Sequence, residues 1–338
     1  MSIAGLGPHG ERASPPQRVA LAPADIDAAR KKGFRVAIVM HTLESDFARQ
    51  QLQGLAGTLG DCGTAVIEVV DCGFSPEAQI AALDRVLHEA PDAVISLPVA
   101  NAAVAAAHAR LSAAGISLVL LDNVPTGLLP GKDYVALVSA DNSGLGRIAA
   151  ELLAPHLSKG AEIGVLGYDA DFFATNEREL AFGRWMRRER PDVTLRTARF
   201  GSIRVAGETA LSLWTAHPSL AGLFVVWDTP GREALSALAR HGWSGPVATI
   251  DLGRDVAASL ARGGPVVAVA AQQPHYQGVI AAQTAILAML GQLTPDWVAL
   301  PGVPVTRANV AESFQTVWRR PAPPEVLTAL LPSRREKK

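Results

Sequence analysis

Side chains able to hold a small hydroxylated molecule recur in this chain where short apolar runs end. Met40 leads into His41-Thr42, Leu121 into Asp122-Asn123, Val226 into Trp227-Asp228, Ile250 into Asp251, and Ala271 into Gln272-Gln273. An ionised carboxylate accepts from two neighbouring hydroxyls, an amide donates and accepts at once, and a guanidinium such as that of Arg178 donates in a fixed fork. Charge-assisted bonds of this kind contribute roughly 1.5 to 3 kcal/mol each when water is excluded. An aromatic ring adds a flat apolar face with little entropy to lose. In open α/β sheets ligands lie beyond the carboxyl ends of the strands, so this step from apolar run to polar loop is how a cleft is written in such a fold.

Catalytic patterns are missing. The chain has no G-x-S-x-G elbow, no H-E-x-x-H, no Walker loop and no clustered Cys/His spacing. Nucleophile, zinc and P-loop chemistry therefore have no support, and neither a cofactor nor a metal is expected. Asp122 with Asp251 as a hydrolytic carboxylate pair is the enzymatic alternative. Gly5-Leu6-Gly7-Pro8-His9-Gly10 matches G-x-G-x-x-G, but no apolar strand precedes it and no apolar helix follows. It lacks the setting that places a pyrophosphate on a helix N-terminus.

With 338 residues, 49% of them hydrophobic and 19% charged, the chain can bury the cores of two ordinary domains. A formal net charge of -1 gives no basic face for nucleic acid. Arg184, Arg187, Arg188 and Arg190 read as a solvated helix surface. No stretch approaches the roughly 18 to 20 apolar residues of a membrane span, so no direct membrane insertion is expected. The first 33 residues also lack the apolar core of an export signal. Cys62 and Cys72 flank the strand-like run Thr64–Val70, which sets their α-carbons roughly 20 Å or more apart. A disulfide needs about 7 Å or less, so they are expected to stay unpaired.

These residues must be positioned by a regular series. Residues 1–33, rich in Gly and Pro, read as a flexible tail. Apolar runs at Phe34–Met40, Thr64–Val70, Asp92–Leu97, Ser117–Leu121 and Val135–Val138 then alternate with helical stretches at Asp46–Leu59, Pro76–Glu89 and Asn101–Ala114. Asp141 precedes a further helix, and a second series follows. Its runs are Glu162–Leu166, Val193–Phe200, Leu220–Val226, Val247–Ile250 and Val266–Ala271. Its helices are Glu177–Arg190, Ile203–Ala216, Gly231–His241 and Arg254–Arg262. Such alternation predicts an α/β fold of two doubly wound parallel sheets in tandem. A long helix His275–Leu290, an extended segment Val298–Val305 and a short helix from Asn309 close the series.

The chain resembles the sugar-binding proteins of ribose-type ABC importers, the type I periplasmic binding proteins, whose fold is shared with the effector cores of lactose-repressor-like regulators. The resemblance covers about Phe34 to Val310. It rests on an ordered set of motifs: Arg35-Val36-Ala37-Ile38-Val39-Met40 with Thr42-Leu43 and Asp46-Phe47; Leu121-Asp122; Ser139-Ala140-Asp141-Asn142 with Gly146; Glu177-Arg178 with Phe182; Ala216-His217-Pro218; Asp251; and Ala271-Gln272-Gln273-Pro274 with Gly278.

The resemblance implies two lobes joined by a three-crossing hinge, with crossings near Ala140-Asp141, Gln272-Gln273 and Gly302-Val303. The N-terminal lobe is then 34–140 with 273–302, the C-terminal lobe 141–272 with 303–318, and 319–338 a tail. It implies a non-enzymatic, monomeric, periplasmic protein that captures a monosaccharide or polyol between the lobes and hands it to an ABC permease. A regulator's effector core or an intracellular sugar sensor is the alternative. Ser45 and Phe47 match an asparagine and a stacking aromatic of the family, while Asp122, Arg178, Asp251 and Gln272 match its hydrogen-bonding residues.

The chain also departs from the family. Ala48 replaces the second aromatic of the pair, and Asn123 stands where ribose binders carry an arginine. Trp227 occupies a position usually held by a polar amide and is expected to supply stacking surface. The expected ligand is therefore another pentose or a sugar alcohol rather than ribose or a hexose acid.

Overall fold

The computed structural model describes residues 3–331. Among the described residues twelve strands run β1 Arg35–Met40, β2 Ala65–Asp71, β3 Ala93–Ser96, β4 Ser117–Leu121, β5 Ala136–Ala140, β6 Glu162–Tyr168, β7 Thr194–Phe200, β8 Leu220–Val225, β9 Val247–Ile250, β10 Val266–Ala271, β11 Trp297–Leu300 and β12 Val303–Val305. They form two six-stranded sheets, in the order β11-β5-β4-β3-β1-β2 and β12-β10-β9-β8-β6-β7. All neighbours are parallel except β12, which runs antiparallel to β10.

The chain forms two compact units: Met1–Asp141, Asp171–Ala174 and Gln273–Pro301 in the first, and Asn142–Ala170, Thr175–Gln272 and Gly302–Lys338 in the second. The extended segment expected over Val298–Val305 is two strands, β11 in the first sheet and β12 in the second, because the chain changes unit after Pro301.

Helices cover both faces of the first sheet, and the alternation along its strands shows it. Val36, Ile38 and Met40 of β1 join one core with Ile95, Val119, Leu121 and the helix Pro274–Met289. Ala37 and Val39 join another with Val94, Leu118, Leu120 and Trp297. A parallel strand covered on both faces needs apolar residues at every position, which is why these runs read as unbroken apolar stretches. The buried Trp297 indole N–H donates to Ser139 Oγ at 2.9 Å, satisfying the one polar atom of a large core ring.

The described parts of both expected tails, 3–33 and 319–331, are built into the units. Ser14 N–H donates to Trp297 C=O at 2.8 Å along the edge strand β11, and Val19 is buried in the first core ahead of a helix Pro23–Lys32. Ala4 and Gly5 donate their backbone N–H groups to the Asp141 carboxylate at 2.7 and 3.1 Å. A segment poor in hydrophobic periodicity is thus held by main-chain hydrogen bonds, which also cover a sheet edge. At the other end a helix Pro324–Leu330 packs Val326 into the core of the second unit, and Glu325 pairs with Arg254. The remainder of that expected tail, 332–338, lies outside the described residues.

Candidate ligand-binding site

The sheets carry their aspartates at equivalent points. β4 and β9 hold the third place in their sheets, and each is followed by an aspartate with left-handed backbone, Asp122 at φ 55° and Asp251 at φ 72°. Such a conformation is uncommon outside glycine, though Asp and Asn tolerate it best. Its recurrence at both strand ends is strain of the kind that collects at functional sites. After β4 the turn is tight, with Asn123 N–H donating to Leu121 C=O at 2.5 Å.

In the first unit the Asp122 carboxylate is buried among amides. Oδ1 accepts from Gln277 Nε2 at 2.8 Å and Oδ2 from Gln51 Nε2 at 3.5 Å, while Gln277 Nε2 also reaches Val138 C=O at 3.0 Å. The helices bearing these glutamines, Asp46–Asp61 and Pro274–Met289, meet glycine to backbone. A Cβ on Gly54 would lie 2.1 Å from His275 O, and one on Gly278 2.1 Å from Gln51 O. The reading of the sequence missed Gln51 and Gln277, although both interrupt the buried faces of their helices.

Asn123 is fully buried; its Oδ1 accepts from Phe173 N–H at 3.1 Å, and its Nδ2 has no partner. Phe172 and Phe173, also missed, pack against the cores of this unit. Ser45 caps the Asp46–Asp61 helix, its Oγ accepting from Ala48 N–H at 3.1 Å, and Phe47 is half-buried in the first turn. His41, at the end of β1, meets Phe74 edge-on at 5.0 Å. Burial lowers its pKa to about 4 against the opposing pull of Asp71, so the ring is neutral at pH 7.

In the second unit the helix Phe173–Glu189 presents Arg178, because Gly146 lets the helix Asn142–Leu153 approach it. A Cβ there would lie 2.1 Å from Arg178 O. The buried guanidinium donates through Nε to Asn142 Oδ1 at 2.9 Å and through Nη1 to Val226 C=O at 3.2 Å. Asp251 Oδ1 accepts from Gln272 Nε2 at 2.7 Å, and Gln272 Oε1 is buried without a partner. Burial raises the Asp251 pKa, with Arg178 and the Gln272 amide pulling it down. Trp227 is half-buried with edges against Tyr168 and Phe200, at 5.3 and 5.2 Å.

Structure thus joins Asp122 to Gln51 and Gln277, and Asp251 to Gln272 and Arg178; Trp227 sits instead in an aromatic group. Buried polar atoms without partners call for an explanation. His41 Nδ1, Gln51 Oε1, Asn123 Nδ2 and Gln272 Oε1 are such atoms, all at strand carboxyl ends or against the aspartates there. They mix donors and acceptors on uncharged groups, a set that hydroxyls complement. Among the described residues no group of His, Cys, Asp and Glu is placed to hold a metal ion, and no helix is long and apolar enough to cross a membrane.

Known proteins match this architecture. Over 276 residues, 81% of this chain and 88% of its relative, the sequence is 26% identical to the ribose import binding protein RbsB of Bacillus subtilis (strain 168). An ABC transporter solute-binding protein from Agrobacterium vitis, solved with α-D-tagatopyranose, superposes with a TM-score of 0.77 at 22% identity, over 89% of this chain and 100% of that one. One from Mycobacterium smegmatis with bound glycerol gives 0.76 at 21% identity, over 83% and 96%. A second Agrobacterium vitis protein, with bound allitol, gives 0.73 at 22%, over 84% and 99%. Since residues 36–293 match the periplasmic binding protein domain, taking in most of both sheets and both aspartates, the chain belongs to that family.

Proposed function

We propose that this protein is the solute-binding component of an ABC importer and captures a neutral monosaccharide or polyol in the periplasm for delivery to the permease. It binds its solute without chemical change and acts as a monomer. The observation that carries the reading is the pairing, in each unit, of a strand-end aspartate with unpartnered neutral polar atoms: Gln51 Oε1 and Asn123 Nδ2 with Asp122, Gln272 Oε1 with Asp251. A hydroxyl donates to a carboxylate or amide oxygen and accepts from an amide N–H, so several hydroxyls on one carbon frame satisfy both sets.

Of the proposed contacts two, Asp122 and Asp251, are carboxylates and one, Arg178, is a guanidinium that acts on Asp251, and His41 is neutral, so the set carries no excess of positive charge for an anionic ligand. Ser45, Phe47, Asp122 and Asn123 of the first unit, with Arg178, Trp227, Asp251 and Gln272 of the second, are the proposed ligand contacts. Phe47 and Trp227 supply apolar faces for the carbon frame.

A thermal-shift panel tests the reading with D-ribose, D-arabinose, D-tagatose, allitol and glycerol against sugar acids, amino acids and nucleotides. At a hundredfold excess over Kd, a ligand of the native state adds about 2.7 kcal/mol of stability. A neutral sugar or polyol is expected to raise the melting temperature. A shift only with an amino acid or nucleotide refutes the assignment.

A further inference from the structure

Asp228 lies outside the proposed contacts, yet it grips the loop that presents one of them. The helix expected from Gly231 starts at Asp228, which puts this carboxyl in the first turn. Its Oδ2 accepts the N–H of Gly253 at 3.0 Å, and its Oδ1 accepts from Thr229 Oγ1 at 3.2 Å. Gly253 precedes the helix Arg254–Ala261 in the capping position, where a side-chain oxygen normally takes an orphan N–H and glycine has none to offer. Asp228, from the neighbouring helix, takes instead the N–H of the capping residue itself, another of the orphan donors at that helix start. The fit is close, since a Cβ on Gly253 would lie 2.3 Å from Asp228 Oδ2. Two residues upstream stands Asp251 at φ 72°, so the carboxyl fastens the far end of a strained turn.

A second carboxyl near Asp251 carries an electrostatic cost. Burial and the Asp251 charge both act against ionised Asp228 and raise its pKa to about 7, with Thr229 and the Gly253 N–H pulling the other way. Of the charged groups on the elements packed around it, Asp251 at the end of β9 acts on Asp228, and Arg178 from its own helix acts on Asp251. Arg232 and Glu233 of Asp228's helix and Asp255 of the next pair with one another at the surface.

We propose that Asp228 is the positioning residue for Asp251: its carboxyl anchors the turn Asp251–Gly253 and, paired with Asp251, makes ligand capture by this unit depend on pH. The affinity part rests on the sugar-binding reading; the anchoring does not. An unfolded aspartate ionises in the ordinary carboxylate range, whereas folded Asp228 keeps its proton to near 7. The native state therefore binds the extra proton in that window, and stability falls as pH rises through it. Enclosing the pair under a ligand removes water, which costs most when both carboxyls are ionised. Affinity should fall in the same direction.

Asp228→Asn keeps the shape and an acceptor oxygen for Gly253 while removing the titration; Asp228→Ala removes both. Melting temperatures of wild type and Asp228→Asn are compared from about pH 5 to about pH 8, where the advantage of the variant should grow with pH. Groups that do not interact with Asp228 cancel in that difference, while Asp251 titrates with it as a pair. Amide exchange at Gly253 should quicken about tenfold or more in Asp228→Ala and stay near wild type in Asp228→Asn. Calorimetry with allitol and D-tagatose should find wild-type affinity about threefold or more weaker near pH 8 than near pH 6, and Asp228→Asn affinity level.

Parallel melting profiles or a binding difference that Asp228→Asn retains would overturn the pH link, and unchanged Gly253 exchange in Asp228→Ala would overturn the anchor. If neither probe binds, calorimetry uses the neutral sugar or polyol that raises the melting temperature in the thermal-shift panel; if none of that panel binds, the sugar reading fails, while the melting and exchange results still decide the role of Asp228.

Discussion

At Asp122 and Asp251 the left-handed backbone dictates which substitution isolates the charge. Asparagine tolerates φ values of 55° and 72°, whereas alanine adds strain to the loss of the carboxylate. Asp122→Asn and Asp251→Asn are each expected to weaken ligand binding by about tenfold or more, from charge-assisted contacts contributing roughly 1.5 to 3 kcal/mol. Calorimetry reads the effect, and wild-type affinity would remove that residue from the site. Arg178→Ala is a less clean test, because the guanidinium also donates to Asn142 and Val226 and its loss would lower stability as well. The cysteines give an independent check. Cys62 and Cys72 are free and buried, and burial raises both thiol pKa values, that of Cys72 to about 11. Native alkylation should be slow, and denaturation without reductant should expose two thiols; none would mean a bridge and a misplaced β2.

The helices determine whether these side chains reach their places. Gly54 and Gly278 allow Asp46–Asp61 and Pro274–Met289 to approach until the Gln51 and Gln277 amides meet Asp122. Alanine at either position drives a methyl into a backbone carbonyl, which a rigid helix cannot yield cheaply. Gly278→Ala or Gly54→Ala is expected to cost about 1 to 3 kcal/mol or more in chemical denaturation. Ligand affinity should fall too, since the amides move with the helix. A variant with wild-type stability and affinity would show that the helices pass each other more loosely than the glycines indicate. These glycines and Gln51 sit on helices whose existence is legible from apolar spacing alone. Their partners are not, because sequence spacing records which face of a helix is buried and not what it is buried against.

For the molecule as a whole, the chain passes between units after Asp141, Gln272 and Pro301, with Asp171–Ala174 counted in the first. Under the proposed reading, a ligand that takes contacts from both units would favour the arrangement in which both reach it, and that differential affinity would shift the population. Small-angle scattering is therefore expected to show a smaller radius of gyration at saturating ligand, with spin-label distances between units shortening in parallel. Saturated binding with neither change would rule out closure and leave simple binding in place.

What the sequence determined alone was the order of strands and helices from Phe34 to the helix after Asn309, while the helices Pro23–Lys32 and Pro324–Leu330 fell in stretches expected to be tails. Unbroken apolar runs such as Arg35–Met40 and Val266–Ala271 mark parallel strands covered on both faces, and their alternation with amphipathic helices dictates two wound sheets. The polar residues that end those runs marked Asp122, Asp251 and Gln272 as strand-end candidates for ligand contact, since each strand end is a local boundary. The tertiary structure alone decided the pairings across it: Gln277 with Asp122, 155 residues apart, Asp228 with Gly253, and Ala4 with Asp141. It also divided Val298–Val305 between the sheets and set Ser14 beside Val298 and Val326 in the core of the second unit. The reason is physical. A strand or helix is specified by residues within a few positions of one another, whereas a hydrogen bond between distant residues exists only once strand order and helix packing have brought them together.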